Sequence, residues 1–326
     1  MQNPFRRSAP RDPPAPAVPR SAADGGGWRR LKTDSLDLFD ERFQKRLEML
    51  SLVTRRVSRG HSRAERRSIH TGAGIEFADY RNYSPGDDYR HVDWNAYARI
   101  GRLLLRLYEQ ETDLFVHVLL DRSGSMGFGS PTKLDYAKKL AAALAYVGLS
   151  QLDRVGLVAF SARELSEWKA ARGRQHIFGI FDFLSGLDAR GPTDLASAMQ
   201  SFVAKQRRPG IAILISDLYD PNGFERAVDL LRYARCEPYV LHVSDPAEQS
   251  PDLHGDLELC DAETGLTRAV TISPALLARY RSARALGQER MRRYCADKRV
   301  GFFALSTAID AEEALLRILR RGGMLR

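Results

Sequence analysis

The chain has 326 residues, 44% of them hydrophobic and 28% charged, which is ordinary for a globular protein with a sizeable core. No run approaches the roughly 18 consecutive apolar residues of a membrane-spanning helix, and no apolar leader follows the first residues, so a cytoplasmic protein is expected. The net charge is +9, of which residues 1–30 (six Arg, two Asp) supply +4 and residues 55–67 (six Arg, one Glu) supply +5; the balanced remainder excludes a basic surface over the whole molecule.

Residues 1–30 are rich in Pro and Arg and are expected to form a disordered tail. Leu38, Phe39, Phe43, Leu47 and Leu50 fall at helical spacing and predict a helix over 37–54. The arginine stretch from Arg55 to Arg67 follows. It has two readings, a solvated linker or a contact surface for nucleic acid or another polyanion. Residues 72–99 are dense in acids, arginines and aromatics, with a turn at Ser84-Pro85-Gly86-Asp87 and no clean period. Residues 31–112 are therefore grouped as an N-terminal aromatic and charged subdomain.

The pattern changes at Asp113. Residues 114–120 read as a buried strand, followed by a helix over 133–149. Further strands are predicted at 155–160, 211–215, 238–243 and 300–305. Helices are predicted at 175–184, 194–206, 224–234, 274–298 and 311–320. Residues 257–259 and 267–272 flank Glu263-Thr264-Gly265 and suggest a small inserted β-hairpin. Apolar strands alternating with helices predict a doubly wound, mainly parallel, Rossmann-like α/β sheet over 113–326. Cys236, Cys260 and Cys295 are too far apart for a CxxC metal site and are expected to be reduced thiols.

Asp121-Arg122-Ser123-Gly124-Ser125 lies at the carboxyl end of the first predicted strand, where open α/β sheets bind ligands. Its carboxylate and hydroxyls are hard oxygen donors suited to Mg²⁺, Mn²⁺ or Ca²⁺. Taken alone, the same residue types also cap helices. Thr193, in Gly191-Pro192-Thr193-Asp194, and Asp217, after the strand at 211–215, add two more oxygen donors at predicted loop or strand ends. The set Asp121, Ser123, Ser125, Thr193 and Asp217 resembles the metal-ion-dependent adhesion site of the von Willebrand factor type A fold. That family usually has Gly-Gly-Thr-Asp where this chain has Pro192. The resemblance implies direct ligation by Ser123, Ser125 and Thr193, carboxylates acting partly through water, and an open position for a partner's Asp or Glu.

Tyr83-Ser84-Pro85-Gly86-Asp87-Asp88-Tyr89-Arg90, followed by Asp93-Trp94 and Ala98-Arg99, resembles the bacterial family labelled domain of unknown function 58, from about residue 60 onward. The resemblance implies an adaptor or chaperone-like protein working beside a MoxR-type AAA+ ATPase. Glu76, Tyr83, Asp87, Asp88, Arg90, Asp93, Trp94 and Arg99 are candidates for a partner-binding or structural motif. Arg81, Arg90 and Arg99 are expected to pair with Glu76, Asp87 and Asp93, with Trp94 and Tyr97 packed on the α/β domain. No P-loop, HExxH or nucleophile elbow is present. The expected function is a Mg²⁺-dependent protein-interaction module rather than an enzyme, with polyanion binding and metal-dependent hydrolysis as alternatives.

Overall fold

The computed structural model describes residues 39–40, 43–48, 67–71, 76–111, 114–162, 164–206 and 208–321. The tail expected over 1–30 and the basic stretch over 55–66 lie outside the described residues. Of the first predicted helix, residues 43–48 are described (α1); Phe39, Phe43 and Leu47 are buried, and Phe39 stacks on Phe181 at 4.5 Å.

The segment without a clean period forms a three-stranded antiparallel sheet. Its strands are β1 (Arg67–Thr71), β2 (Glu76–Asn82) and β3 (Leu104–Glu111), in the order β1-β3-β2. Helix α2 (Trp94–Ile100) sits between β2 and β3. Asp93 starts it by accepting from the amides of Asn95 and Ala96, and Gly101 ends it at φ +68°, a conformation that a residue without Cβ adopts at no steric cost.

The second sheet has six strands: β4 (Phe115–Asp121), β5 (Arg154–Ser161), β6 (Glu164–Arg172), β7 (Ile211–Ser216), β8 (Glu237–Ser244) and β11 (Gly301–Ser306). All neighbours are parallel except β6, which runs antiparallel at one edge. Read from β6 to β11, the order is β6-β5-β4-β7-β8-β11, so chain order reverses between β4 and β7. This is the doubly wound, mainly parallel sheet that the strand–helix alternation and the von Willebrand factor type A resemblance imply. The edge strand β6 was not anticipated, because its polar, half-exposed residues carry no apolar run.

The strands split their side chains between two cores. Val118, Leu120, Ile213 and Ile215 face one side; Leu119, Ala212 and Leu214 face the other. The first side is covered by α3 (Lys133–Ser150), α4 (Ile177–Ser185) and α9 (Ala311–Arg321). The second is covered by α5 (Leu195–Lys205), α6 (Glu225–Tyr233) and α8 (Pro274–Asp297). Helix α3 is buried nearly all round; its run Ala141–Ala145 lets it lie close to the sheet. The short α7 (Pro246–Gln249) follows β8, and β9 (Gly255–Cys260) with β10 (Thr267–Ile272) forms the expected hairpin as a separate two-stranded sheet. All three cysteines are free thiols. Among the described residues, no helix is long and apolar enough to cross a membrane.

Candidate metal centre

The reversal between β4 and β7 opens a crevice at the carboxyl ends of these two strands. Asp121 ends β4 and Asp217 follows β7, and both are fully buried. Asp121 Oδ1 accepts from the amide of Ser123 at 2.9 Å, which turns the chain back, and Oδ2 accepts from the Ser216 hydroxyl at 2.6 Å. The loop continues into a short 3-10 turn, Gly124–Gly127, anchored by buried Met126. Ser123 Oγ and Ser125 Oγ stand 3.1 Å apart.

The Thr193 loop is joined to this one through backbone. The Gly124 amide donates to the Gly191 carbonyl at 2.8 Å, and the Arg190 amide donates to the Arg122 carbonyl at 2.8 Å. Pro192, the departure from the usual motif, keeps a useful carbonyl, which accepts from the Ala162 amide at 2.9 Å. Asp194 caps α5 through the amide of Ser197. The structure thus brings the loops of Asp121, Ser123, Ser125 and Thr193 to one edge of the sheet.

Two of the expected oxygen donors carry partners that the sequence did not reveal. Lys133, the first residue of α3, is fully buried; its ammonium donates to Asp217 Oδ2 at 2.6 Å and also to Glu248. It lies 4.9 Å from the centroid of the Tyr219 ring, a cation–π contact. The other Asp217 oxygen accepts from the Tyr219 amide at 3.2 Å. Thr193 is engaged by Glu263 of the β9–β10 turn: its hydroxyl donates to Oε1 at 2.5 Å and its amide to Oε2 at 3.0 Å.

Burial, and then the charge of Asp217, push the Asp121 carboxyl well above the ordinary carboxylate range; the bonds from Ser216 and Ser123 oppose that shift. Among the described residues, no three His, Cys, Asp or Glu side chains cluster as a metal site. The donors here are hydroxyl-rich, which fits hard cations better than zinc. Lys133 and Glu263 escaped the sequence reading for different reasons. Thr132 caps α3, so Lys133 looked like an ordinary first-turn residue; Glu263 looked like a turn residue. The spacing of Asp245 and Glu248 does spell a capping box, and the structure forms it.

The aromatic and acidic motif engages its acids with its own backbone amides and with side chains of the small sheet. Asp87 accepts from the Ser84 amide and from Arg81 at 2.8 Å; Asp88 accepts from the Arg90 amide. Asp93 accepts from the Tyr80 hydroxyl at 2.7 Å and from Arg106 at 2.8 Å. The Arg106 and Tyr80 bonds hold its carboxyl well below the usual carboxylate range. Two expectations are corrected. Arg106 takes the place beside Asp93 that was assigned to the set Arg81, Arg90 and Arg99, and both Arg90 and Arg99 are exposed. Trp94 and Tyr97 are 58% and 45% exposed rather than packed on the α/β sheet; among the described residues of this region the buried apolar side chains are those of Val92 and Leu105. Tyr83 is partly buried, with its amide on the Leu103 carbonyl, and Glu76 lies in β2.

A family model described as protein of unknown function DUF58 matches residues 79–290. An uncharacterized protein of Mycobacterium tuberculosis is 30% identical over 248 residues, covering 74% of this chain and 77% of that protein. Among solved structures, the conserved hypothetical protein BatB from Bacteroides thetaiotaomicron is similar at 15% identity and a TM-score of 0.42, over 64% of this chain and 98% of that one. The manganese-loaded TRAP protein of Plasmodium vivax is similar at 18% identity and a TM-score of 0.31, over 40% of this chain and 56% of that one.

Proposed function

Since the chain belongs to the family described as protein of unknown function DUF58, a description that brings no activity with it, we propose a function from the site itself: a divalent-metal-dependent protein-interaction module. The observation that carries this reading is the pair Ser123 Oγ and Ser125 Oγ, 3.1 Å apart beside the fully buried Asp121. Neighbouring oxygens on an octahedral Mg²⁺ or Mn²⁺ stand roughly 3 Å apart. Ser123, Ser125 and Thr193 would hold the ion, with Asp121 fixing the loop and supplying charge. Asp217 has both oxygens engaged, so its part is to orient Lys133 and add negative charge nearby. When bound, the ion would supply an electrophilic position for a hard anion such as an Asp or Glu side chain.

The partner favoured by the family resemblance is a MoxR-type AAA+ ATPase, which would contribute the nucleotide chemistry. The test is calorimetric titration with Mn²⁺ and pulldown of the cognate ATPase. Wild type should bind both. Ser123→Ala/Ser125→Ala should lose Mn²⁺. Asp121→Ala should lose the ATPase while keeping its circular dichroism, and EDTA should imitate it reversibly. Equal Mn²⁺ binding by wild type and the double variant would sink the metal reading. Equal ATPase capture with and without EDTA would sink the docking mechanism.

A further inference from the structure

The β9–β10 hairpin pairs Cys260 with Thr267 at its tip and Gly255 with Ile272 at its base. Both of its strands are largely exposed on both faces. Two strands alone are marginally stable in water, so such an arm needs an anchor. Its tip is rigid. Asp261 Oδ1 accepts from the amides of Glu263 and Thr264 and from the Thr264 hydroxyl, and Gly265 turns the chain at φ +70°.

This tip lies on the candidate metal loops. A Cβ built on Gly124 would come within 2.5 Å of the Ala262 carbonyl oxygen, so the tip backbone rests on the Asp-x-Ser-Gly-Ser turn. From the next residue, the Glu263 carboxylate clasps Thr193 through both of its oxygens. A carboxylate has thus been delivered, from 70 residues away in sequence, to the third hydroxyl of the set. It is the same chemical group that a docking partner would offer.

We propose that Glu263 is a built-in carboxylate ligand for this centre, so that the hairpin is a latch occupying the position a partner's acid must win. This rests on the metal reading above. The latch explains why an otherwise unsupported hairpin carries a preorganised acid at its tip. It also explains why glycine stands at position 124, where any side chain would hold the tip away.

The experiment uses the full chain with Mn²⁺ alone as the probe. Binding is read by calorimetry, and hairpin closure by hydrogen exchange of the amides of residues 261–266. In wild type, Mn²⁺ should slow exchange at the tip. Glu263→Gln keeps the shape of the side chain and removes its charge; it should weaken Mn²⁺ binding by about ten-fold or more, since cation affinity follows ligand charge, and should abolish the Mn²⁺-dependent protection. If wild type and Glu263→Gln bind Mn²⁺ equally and the tip exchanges alike with and without the ion, the latch is wrong while the metal centre stands. If wild type binds no Mn²⁺, or the Ser123→Ala/Ser125→Ala protein binds it as well, the metal reading falls and the latch falls with it.

Discussion

In the motif over residues 83–95, Asp87, Asp88 and Asp93 each use one oxygen to accept from a backbone amide within three residues, and Asp121 and Asp217 at the sheet edge do the same. The other oxygen separates the two regions. In the motif it meets groups close in sequence, Arg81 for Asp87 and Tyr80 with Arg106 for Asp93, and both arginines stay in contact with water. At the sheet edge it meets groups from distant segments, Ser216 for Asp121 and Lys133 for Asp217, with no solvent access. Acids of the first kind organise a turn, and the arginines that pair with them are screened by water. Acids of the second kind leave negative charge in a dry crevice and so create a demand for a cation. Lys133 meets that demand for Asp217 and Glu248; nothing comparable stands beside Asp121 among the described residues.

The largest test of this contrast is Lys133→Met, which keeps the stem and removes the charge. Asp217 would be left buried and without a cation, while Glu248 keeps Arg284 at 3.8 Å, at a cost of about 3–5 kcal/mol in EDTA, read by urea denaturation. Added Mn²⁺ should recover part of it. A loss below about 1 kcal/mol would mean that water reaches both acids, and the two regions would no longer differ. A smaller effect is expected from the motif side. Leu105 is fully buried beneath the bridge it makes with Val92 and belongs to neither core of the six-stranded sheet. Leu105→Ala should cost about 2 kcal/mol, the low end for such truncations, because the small subdomain can relax around the gap. A loss comparable to that of Lys133→Met would show that the motif folds as one cooperative unit with the sheet.

The sequence disclosed what local pattern encodes. The apolar runs of β4 and β7 and the helical spacing of α3, α5 and α9 were legible because each is set by its own side chains. So were Asp121, Ser123 and Ser125, which lie within five residues of one another. The strands β1 to β3 and β6 were not, since none of them carries a long apolar run and their pairing is set by neighbours distant in sequence. The bonds of Lys133 to Asp217 and of Thr193 to Glu263 span 84 and 70 residues, and no local period records them. Aromatic density misled in the other direction. Trp94 and Tyr97 suggested burial, yet they follow a capping aspartate on a short helix whose outward face they occupy.

Trp94→Ala is the smallest predicted effect and the sharpest check on that face. The ring is 58% exposed and meets Tyr97 edge-on at 6.3 Å between centroids. Its backbone amide is at the helix start, where the cap is supplied by Asp93 and survives the substitution. Truncation therefore removes an exposed pair and little buried area, and the denaturation midpoint should move by no more than about 1 kcal/mol equivalent. A shift of about 3 kcal/mol, the range for a buried tryptophan, would mean that the ring is covered in solution. Measuring it at two protein concentrations assigns the cover: a concentration-dependent shift places a second copy on this face, and a constant one places another part of the same chain there. A negligible shift leaves Trp94 and Tyr97 as an aromatic face open to solvent, and lets Trp94→Ala be compared with Asp121→Ala in the pulldown of the proposed partner without a stability correction.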